Sequence, residues 1–430
     1  MRILIVAAGL ILASSAIAEP QGLSEIYNLA VDNDPALRSQ LATRDLANAL
    51  SEQVRGGRGL SVDLSISAKQ TQNLKIDDDY ARGTLSVTLS LPLINSGLNA
   101  SIESQDAAAR EADVTLAAYR QSHIVSVANT YFSVLSAEQD LAASLAEVEA
   151  FERQLEQASE RLSVGIGTRV DVDQARAQLD LTKVGLISAE VALETANFDL
   201  QRLVGAPIVK LADLSEKFVA DINRELRKDL NALVDVHPNV VIKFEAYRRA
   251  LADLDEARAE SSPSLALSSI FSVSDASGGN TSSTSTSARS NVLALTWSAP
   301  IYTNGVTGAK VKVAQFGVIR SEANLLKARR EVLTAMQVAY RNLEASVRLI
   351  EARRLAIVSA ASRVEATEAA YAVGSGDIVE LLNAKKDLFA TERDFAKARH
   401  RHVIRQLQFD LAIGDLSESS VARIDRNLIQ

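Results

Sequence analysis

The chain contains no cysteine. That excludes a disulfide framework, a thiolate metal centre and a lipidated amino-terminal cysteine. Aromatic residues make up 4% of the chain against 47% hydrophobic residues. A compact core built from 430 residues would usually carry more rings; alanine, leucine and charged residues dominate instead, which favours long helices packed side by side. Beyond the first residues, no apolar run approaches the ~20 needed for a membrane helix. Positive charge is not in excess: the formal net charge is −8, which argues against nucleic acid as a partner. Histidines are few. His400 and His402 are spaced i, i+2 on a helix and point to different faces, a poor metal geometry, and His237 precedes Pro238 and shapes a helix start. The GIG and RGGRG stretches lack the strand–turn–helix context of a nucleotide loop. The expectation is therefore no enzyme, no cofactor and no metal.

What is present begins with a leader. Arg2 supplies a positive start, Ile3 to Leu12 an apolar core, and Ala16-Ile17-Ala18 a small-x-small cleavage site, so residues 1–18 read as a secretory signal peptide.

The remainder is written twice. Gly165 and Gly374, Gly205 and Gly414, and Ala175 and Ala384 each lie 209 apart. Pro92 and Pro300 are 208 apart and Pro35 and Pro238 are 203 apart, which places an insertion in the second copy between Pro238 and Pro300. The reading is a first repeat over 19–205, an inter-repeat segment over 206–236, a second repeat over 237–414 and a tail over 415–430.

Each repeat reads as helix, two strands, very long helix, break and shorter helix. The first copy predicts helices over Leu23–Arg55, Leu98–Leu162 and Val170–Leu203. The second predicts Val240–Glu260, Thr307–Val373 and Val379–Ala412. Val134, Leu141, Val148, Leu155 and Leu162 recur every seven residues, and 209 further on stand Leu343, Ile350, Ile357, Val364 and Tyr371. Leu145, Val347 and Ala361 are expected to fill intermediate seam positions. Such a seam means left-handed coiled-coil packing. Leu98 to Ser163 holds no proline and no glycine, and about 65 residues at 1.5 Å each give roughly 100 Å of helix, longer than a compact domain is wide.

Between helices the period becomes two. Leu60, Val62, Leu64, Ile66 and Ala68 alternate with Ser61, Asp63, Ser65, Ser67 and Lys69, and Leu85, Val87, Leu89 and Leu91 with Thr84, Ser86, Thr88 and Ser90. The second copy offers Leu265, Leu267, Phe271 and Val273, then Leu293, Leu295, Trp297, Ala299 and Ile301. Runs of this length suit tilted transmembrane strands. Periodicity alone does not separate them from a soluble sheet packed on helices; the exported context and the lack of a rival core favour lipid. Strands in lipid must close, bacterial barrels need at least eight strands, and one chain offers four, so several chains are required. Three would give twelve in a closed ring. The connecting loops, with Asp77-Asp78-Asp79 and with SGGNTSSTSTSARS, read as solvated.

RLSVGIGTRVDVDQARAQLD and AYAVGSGDIVELLNAKKDL, with TYFSVLSAEQDL and APIYTNG, resemble the TolC family of outer-membrane efflux and type I secretion channels. The resemblance runs from about Leu23 to Leu416. It implies a mainly α fold with a small β part: long antiparallel coiled-coil helices and four transmembrane β-strands per chain, forming a trimeric β-barrel and α-barrel. It implies an outer-membrane homotrimer in contact with lipid, a periplasmic adaptor, and an inner-membrane ABC or RND-type transporter. The cargo would be proteins or small toxic compounds.

The resemblance also places the breaks at Gly165/Gly167 and Gly374/Gly376 as helix-hairpin tips that meet the adaptor, and both glycines of each pair are expected to supply tolerance of φ > 0. It implies a periplasmic gate at Asp171, Tyr371, Glu380 and Asn383. Glu380 keeps the negative charge of the family's constriction; Asn383 does not. The family's closed-state links run from a tyrosine, here Tyr371, and an arginine, here replaced by Gly376, to the carboxylate matching Asp171, so Arg169 or another group substitutes or the hold is weaker. The alternative class is a periplasmic coiled-coil scaffold or adaptor without a pore, which needs the strands to be soluble; an ordinary porin fits the helical bulk poorly.

Overall fold

The computed structural model describes residues 20–71, 80–208, 210–215, 218–220, 230–277 and 286–429. The expected signal peptide and Asp77-Asp78-Asp79 lie outside the described residues, as does most of the serine-rich loop. The order of elements is α1 (Leu23–Asn33), α2 (Pro35–Gly56), β1 (Ser61–Thr71), β2 (Tyr80–Ile94), α3 (Ser96–Ser163) and α4 (Arg169–Val204). There follow α5 (Leu230–Leu233), α6 (Pro238–Ala259), β3 (Ser264–Ser277), β4 (Thr286–Ser298), α7 (Val306–Ala372), α8 (Ile378–Ala412) and α9 (Glu418–Asp425). Among the described residues, no helix is long and apolar enough to cross a membrane.

The predicted helix over Leu23–Arg55 is corrected to two. Pro35 restricts the residue before it to extended backbone, and Asp34 sits at φ −70°, ψ 115°. The Asp34 carboxylate then accepts from the amide of Ala36 at 2.9 Å and starts α2. In the second copy His237 does the same work for α6: its Nδ1 accepts from the amide of Asn239 at 3.2 Å, with Pro238 at the first helical position.

The chain forms two compact units. One comprises Arg38–Ala118 and Val234–Leu333. Its sheet is antiparallel in the order β1-β2-β3-β4, so β1 and β4 are the edges. The register puts Ser65, Ser86, Ser272 and Ser290 on one rung, and hydroxyl pairs Ser65–Ser86 (2.7 Å) and Ser272–Ser290 (2.8 Å) bridge neighbouring strands on that face. The opposite face is mainly apolar and exposed: Ile66 is 77% and Trp297 68% exposed, with Val62, Leu64, Leu293 and Leu295 beside them, and Ser269, Asn291 and Arg289 as its polar members. The helices of this unit are laid alongside one another by ion pairs. Arg55 of α2 binds Asp106 of α3, Arg110 of α3 binds Glu245 of α6 at 2.8 Å, and Lys310 of α7 binds Glu260 just past α6 at 2.6 Å. Half-exposed pairs of this kind contribute little stability each, but they fix register.

The other unit comprises Met1–Leu37, Tyr119–Leu233 and Thr334–Gln430. Its main core gathers Leu23 and Ile26 of α1, Tyr131, Phe132 and Leu135 of α3, Leu200 of α4, Leu407 of α8 and Ile424 of α9. Gly22, at the start of α1, has no side chain to cap the helix. Asp425, 402 residues away from Leu23, supplies the carboxylate, accepting from the amides of Leu23 (2.8 Å) and Ser24 (3.0 Å). The stretch around Leu211 is tied down by the Tyr131 hydroxyl, which donates to the carbonyl of Ala212 at 2.6 Å.

The long helices meet along seams. On α7 the expected heptad line is half-buried to buried from Leu343 to Tyr371. On α3 the expected line is buried at Val134, half-buried at Leu141, Val148 and Leu155, and exposed at Leu162, so the seam leaves it towards the helix end. The deeper line is Ala137, Ser144, Phe151 and Ala158, all buried, with Glu147 and Gln154 buried next to it. Leu145, expected in the seam, is exposed, as is Ala361. Leu145 falls one position beyond the buried Ser144, and one residue is ~100° of turn on a helix.

His400 and His402 do point apart. His402 Nδ1 pairs with the Ser346 hydroxyl of α7 at 2.8 Å, whereas His400 Nε2 pairs with Asp213 at 2.9 Å. Burial opposes the charge of Asp213, but hydrogen bonds from His400, Leu214 and Gln139 and the nearby His400 charge outweigh it and hold the carboxyl below its usual range. A depressed carboxylate contributes stability above its unfolded value of about 3.9 and loses it as pH falls through the lower folded value. Comparing parent and Asp213→Asn in denaturant, we expect a stability gap of about 1–2 kcal/mol at pH 7 that narrows below about pH 4. A gap unchanged down to pH 2.5 would contradict this.

Candidate functional site

The two breaks in the long helices are copies of one turn. At the end of α3 the amide of Gly165 donates to the carbonyl of Leu162 (3.1 Å), and those of Ile166 and Gly167 to Arg161 (both 3.0 Å). At the end of α7, Gly374 donates to Tyr371 (3.1 Å), and Ser375 and Gly376 to Ala370 (both 3.0 Å). Every donor and acceptor is displaced by 209 residues. These are left-handed helix terminations of the Schellman kind.

The two glycines of each turn have different reasons to be there, which corrects the expectation that both serve a positive φ. Gly165 and Gly374 each have φ +79°, and open space surrounds them. Gly167 and Gly376 are not left-handed. A Cβ on Gly167 would lie 2.9 Å from the backbone nitrogen of Leu162, and one on Gly376 3.0 Å from that of Tyr371. The chain crosses its own preceding turn there, so a Cβ at either position would require the surrounding backbone to shift by a few tenths of an ångström.

The helices that leave the turns are capped differently. Thr168 and Asp171 form a capping box: the Thr168 hydroxyl accepts from the amide of Asp171 (3.1 Å), and the Asp171 carboxylate from that of Thr168 (3.0 Å). In the second turn Asp377 caps α8, accepting from the amide of Val379 at 3.1 Å. Glu380, the repeat equivalent of Asp171, is exposed on the first turn of α8, and Asn383 is exposed one turn on.

Below the turns lies a second core of Phe151, Ala158, Ala175, Leu179, Tyr371, Ile378, Leu381 and Leu382. Tyr371 is buried in it, and its hydroxyl has no hydrogen-bond partner among the described residues, Asp171 included. Burial pushes the Tyr371 phenol above its ordinary range, the charge of Asp171 adds to the rise, and Arg161 opposes it. Arg169 is exposed and faces Asp173 at 3.8 Å. The cation against Tyr371 is instead Arg161, whose guanidinium carbon lies 4.8 Å from the ring centroid and whose Nη1 donates to the carbonyl of Ala372 at 3.4 Å. Arg161 lies outside the apolar heptad pattern. The signal was a polar heptad, Asp140, Glu147 and Gln154, that reaches it at the next step.

Residues 26–206 and 245–415 match the outer membrane efflux protein family. The chain belongs to the outer membrane efflux protein family. It is 31% identical to outer membrane protein TolC of Vibrio cholerae over 95% of this chain and 94% of that protein. It is 24% identical to the alkaline protease secretion protein AprF of Pseudomonas aeruginosa over 95% of this chain and 87% of that one. In fold it is similar to the CmeC outer membrane channel of Campylobacter jejuni, at a TM-score of 0.78 and 15% identity, covering all of this chain and 98% of the other. This efflux-family chain is thus an outer-membrane channel protein of the efflux and secretion class, mainly α with a small antiparallel sheet.

The glycine geometry carries a prediction. Gly376→Ala must push the turn away from Tyr371, and we expect amide exchange at Ser375 and Gly376 to rise about tenfold, the equivalent of ~1.4 kcal/mol of lost local stability. Exchange rates equal to those of the parent would show that the turn tolerates a Cβ.

Proposed function

We propose that three copies of the chain make one export duct. Each contributes its four strands to a twelve-stranded barrel in the outer membrane, and the long helices continue the passage into the periplasm. The observation that carries this reading is the sheet: one face mainly apolar and exposed, the other lined by hydroxyls, and two open edges. Lipid requires that those edges be paired, and four strands are too few to close on themselves. The duplicated halves over 19–205 and 237–414, joined through 206–236 and followed by the tail 415–430, give each protomer two helical hairpins. The duct itself does no chemistry and uses no energy; those come from an inner-membrane transporter of ABC or RND type. The cargo is protein or small toxic compounds, and the secretion and efflux names of the relatives accommodate both.

The hairpin turns are the adaptor-facing end in this reading. Val164 and Ile166 at the first turn are 69% and 67% exposed, and Val373 at the second is 81% exposed, an apolar set at two tips that a partner would cover. Gly165, Gly167, Gly374 and Gly376 shape those tips, and Asp171, Tyr371, Glu380 and Asn383 form the gate beside them. The gate is closed at rest and opens when the adaptor and transporter dock. Glu380 faces the passage and gives the entrance a ring of three negative charges.

Glu380→Ala removes that ring. In planar bilayers we expect the preference for cations over anions to fall on the order of fivefold, the effect of ~1 kcal/mol per unit charge at close range in water. A reversal potential that does not move would place Glu380 away from the passage.

A further inference from the structure

One face of α3 carries a polar residue every seven positions: Asp140, Glu147, Gln154 and Arg161. The first three meet α8 in order. Lys397 binds Asp140 at 2.7 Å, Arg393 binds Glu147 at 3.0 Å, and Lys385 donates to Gln154 at 3.3 Å. α8 begins at Ile378, so the fourth position has run past it and meets the last turn of α7 instead. There the line changes sign. A carboxylate at 161 would face the carbonyl of Ala372 and the negative face of the Tyr371 ring; a guanidinium is attracted to both. Among the described residues the buried Arg161 Nε has no hydrogen-bond partner, nor has the Tyr371 hydroxyl, so the contact is between cation and ring rather than between hydroxyl and carboxylate. The pair occurs once per chain, because 209 residues on from Arg161 stands Ala370 and 209 before Tyr371 stands Leu162.

We infer that Arg161 is the positioning residue that holds the α7–α8 turn against the end of α3, through the ring of Tyr371 and the carbonyl of Ala372. This rests on the reading of these turns as a gate. The planar arginine fork can lie over the ring and reach the carbonyl at once, which a lysine ammonium does less well.

The test is the open fraction of single channels in planar bilayers, with trimer recovery from outer membranes as the check on folding. Arg161→Met keeps the stem packing and removes the charge, and it should raise the open fraction about two- to fivefold. Arg161→Lys should fall between it and the parent. Tyr371→Leu should match Arg161→Met, Tyr371→Phe, which keeps the ring, should raise the open fraction less, and the Arg161→Met/Tyr371→Leu double variant should go no further than Tyr371→Leu alone. An effect of Tyr371→Leu without one of Arg161→Met overturns the role of Arg161 and leaves the gate reading standing. Equal effects of Tyr371→Phe and Tyr371→Leu assign the hold to the hydroxyl and overturn it too. If neither Arg161→Met nor Tyr371→Leu moves the open fraction, the gate reading falls with it.

Discussion

The unpaired edges of a four-stranded sheet set the terms for the rest of this molecule. Backbone amides and carbonyls in hydrocarbon must be satisfied within the protein. β2 and β3 are paired on both sides, while β1 and β4 each keep one open edge, and the mainly apolar face they share is exposed. The edge strands carry Asp63 and Lys69 on β1 and Arg289 on β4, but the aliphatic side chains of the shared face stay exposed. Four strands are too few to close a barrel in lipid on their own.

The helices answer a different requirement. A wall of long helices needs register, and register here comes from polar contacts set into a seam of small and apolar residues. Asp140, Glu147 and Gln154 meet Lys397, Arg393 and Lys385 while Ala137, Ser144, Phe151 and Ala158 fill the space beside them. At the turns the duplicated chain keeps its backbone and changes its side chains. The hydrogen bonds of the two turns correspond one for one, yet Asp171 caps its own helix while its equivalent Glu380 lies exposed on a helix capped by Asp377.

Much of this was legible in the sequence because it is periodic. The 209-residue offset located both turns, the period of two located all four strands, and the glycines marked the turns to the residue. What escaped was not periodic or not local. The cap of α1 by Asp425 joins residues 402 apart, and no pattern near Gly22 announces it. Past Val134 the deep positions of the α3 seam are Ser144, Glu147 and Gln154 as much as Phe151, so the apolar heptad follows only its half-buried flank. Pro35 was visible as a landmark of the repeat, but its effect on Asp34 splits a helix that the hydrophobic pattern joins. Gly376 reads as a missing cation in the sequence; that its absent Cβ would lie 3.0 Å from the backbone nitrogen of Tyr371 is visible only in the fold.

The absence of cysteine makes the most direct test of shared barrel closure a clean one. Pairs of cysteines, one at Asp63, Ser65 or Ser67 on β1 and one at Ala288, Ser290 or Val292 on β4, sit on the hydroxyl-lined face at opposite edges of the sheet. Oxidised in intact outer membranes and run on a denaturing gel, a pair in register should yield a covalent species of three chains, about three times the 46.2 kDa of one. Bands that stop at two chains, or crosslinks found only within single chains across the whole set, would contradict a barrel closed by three copies.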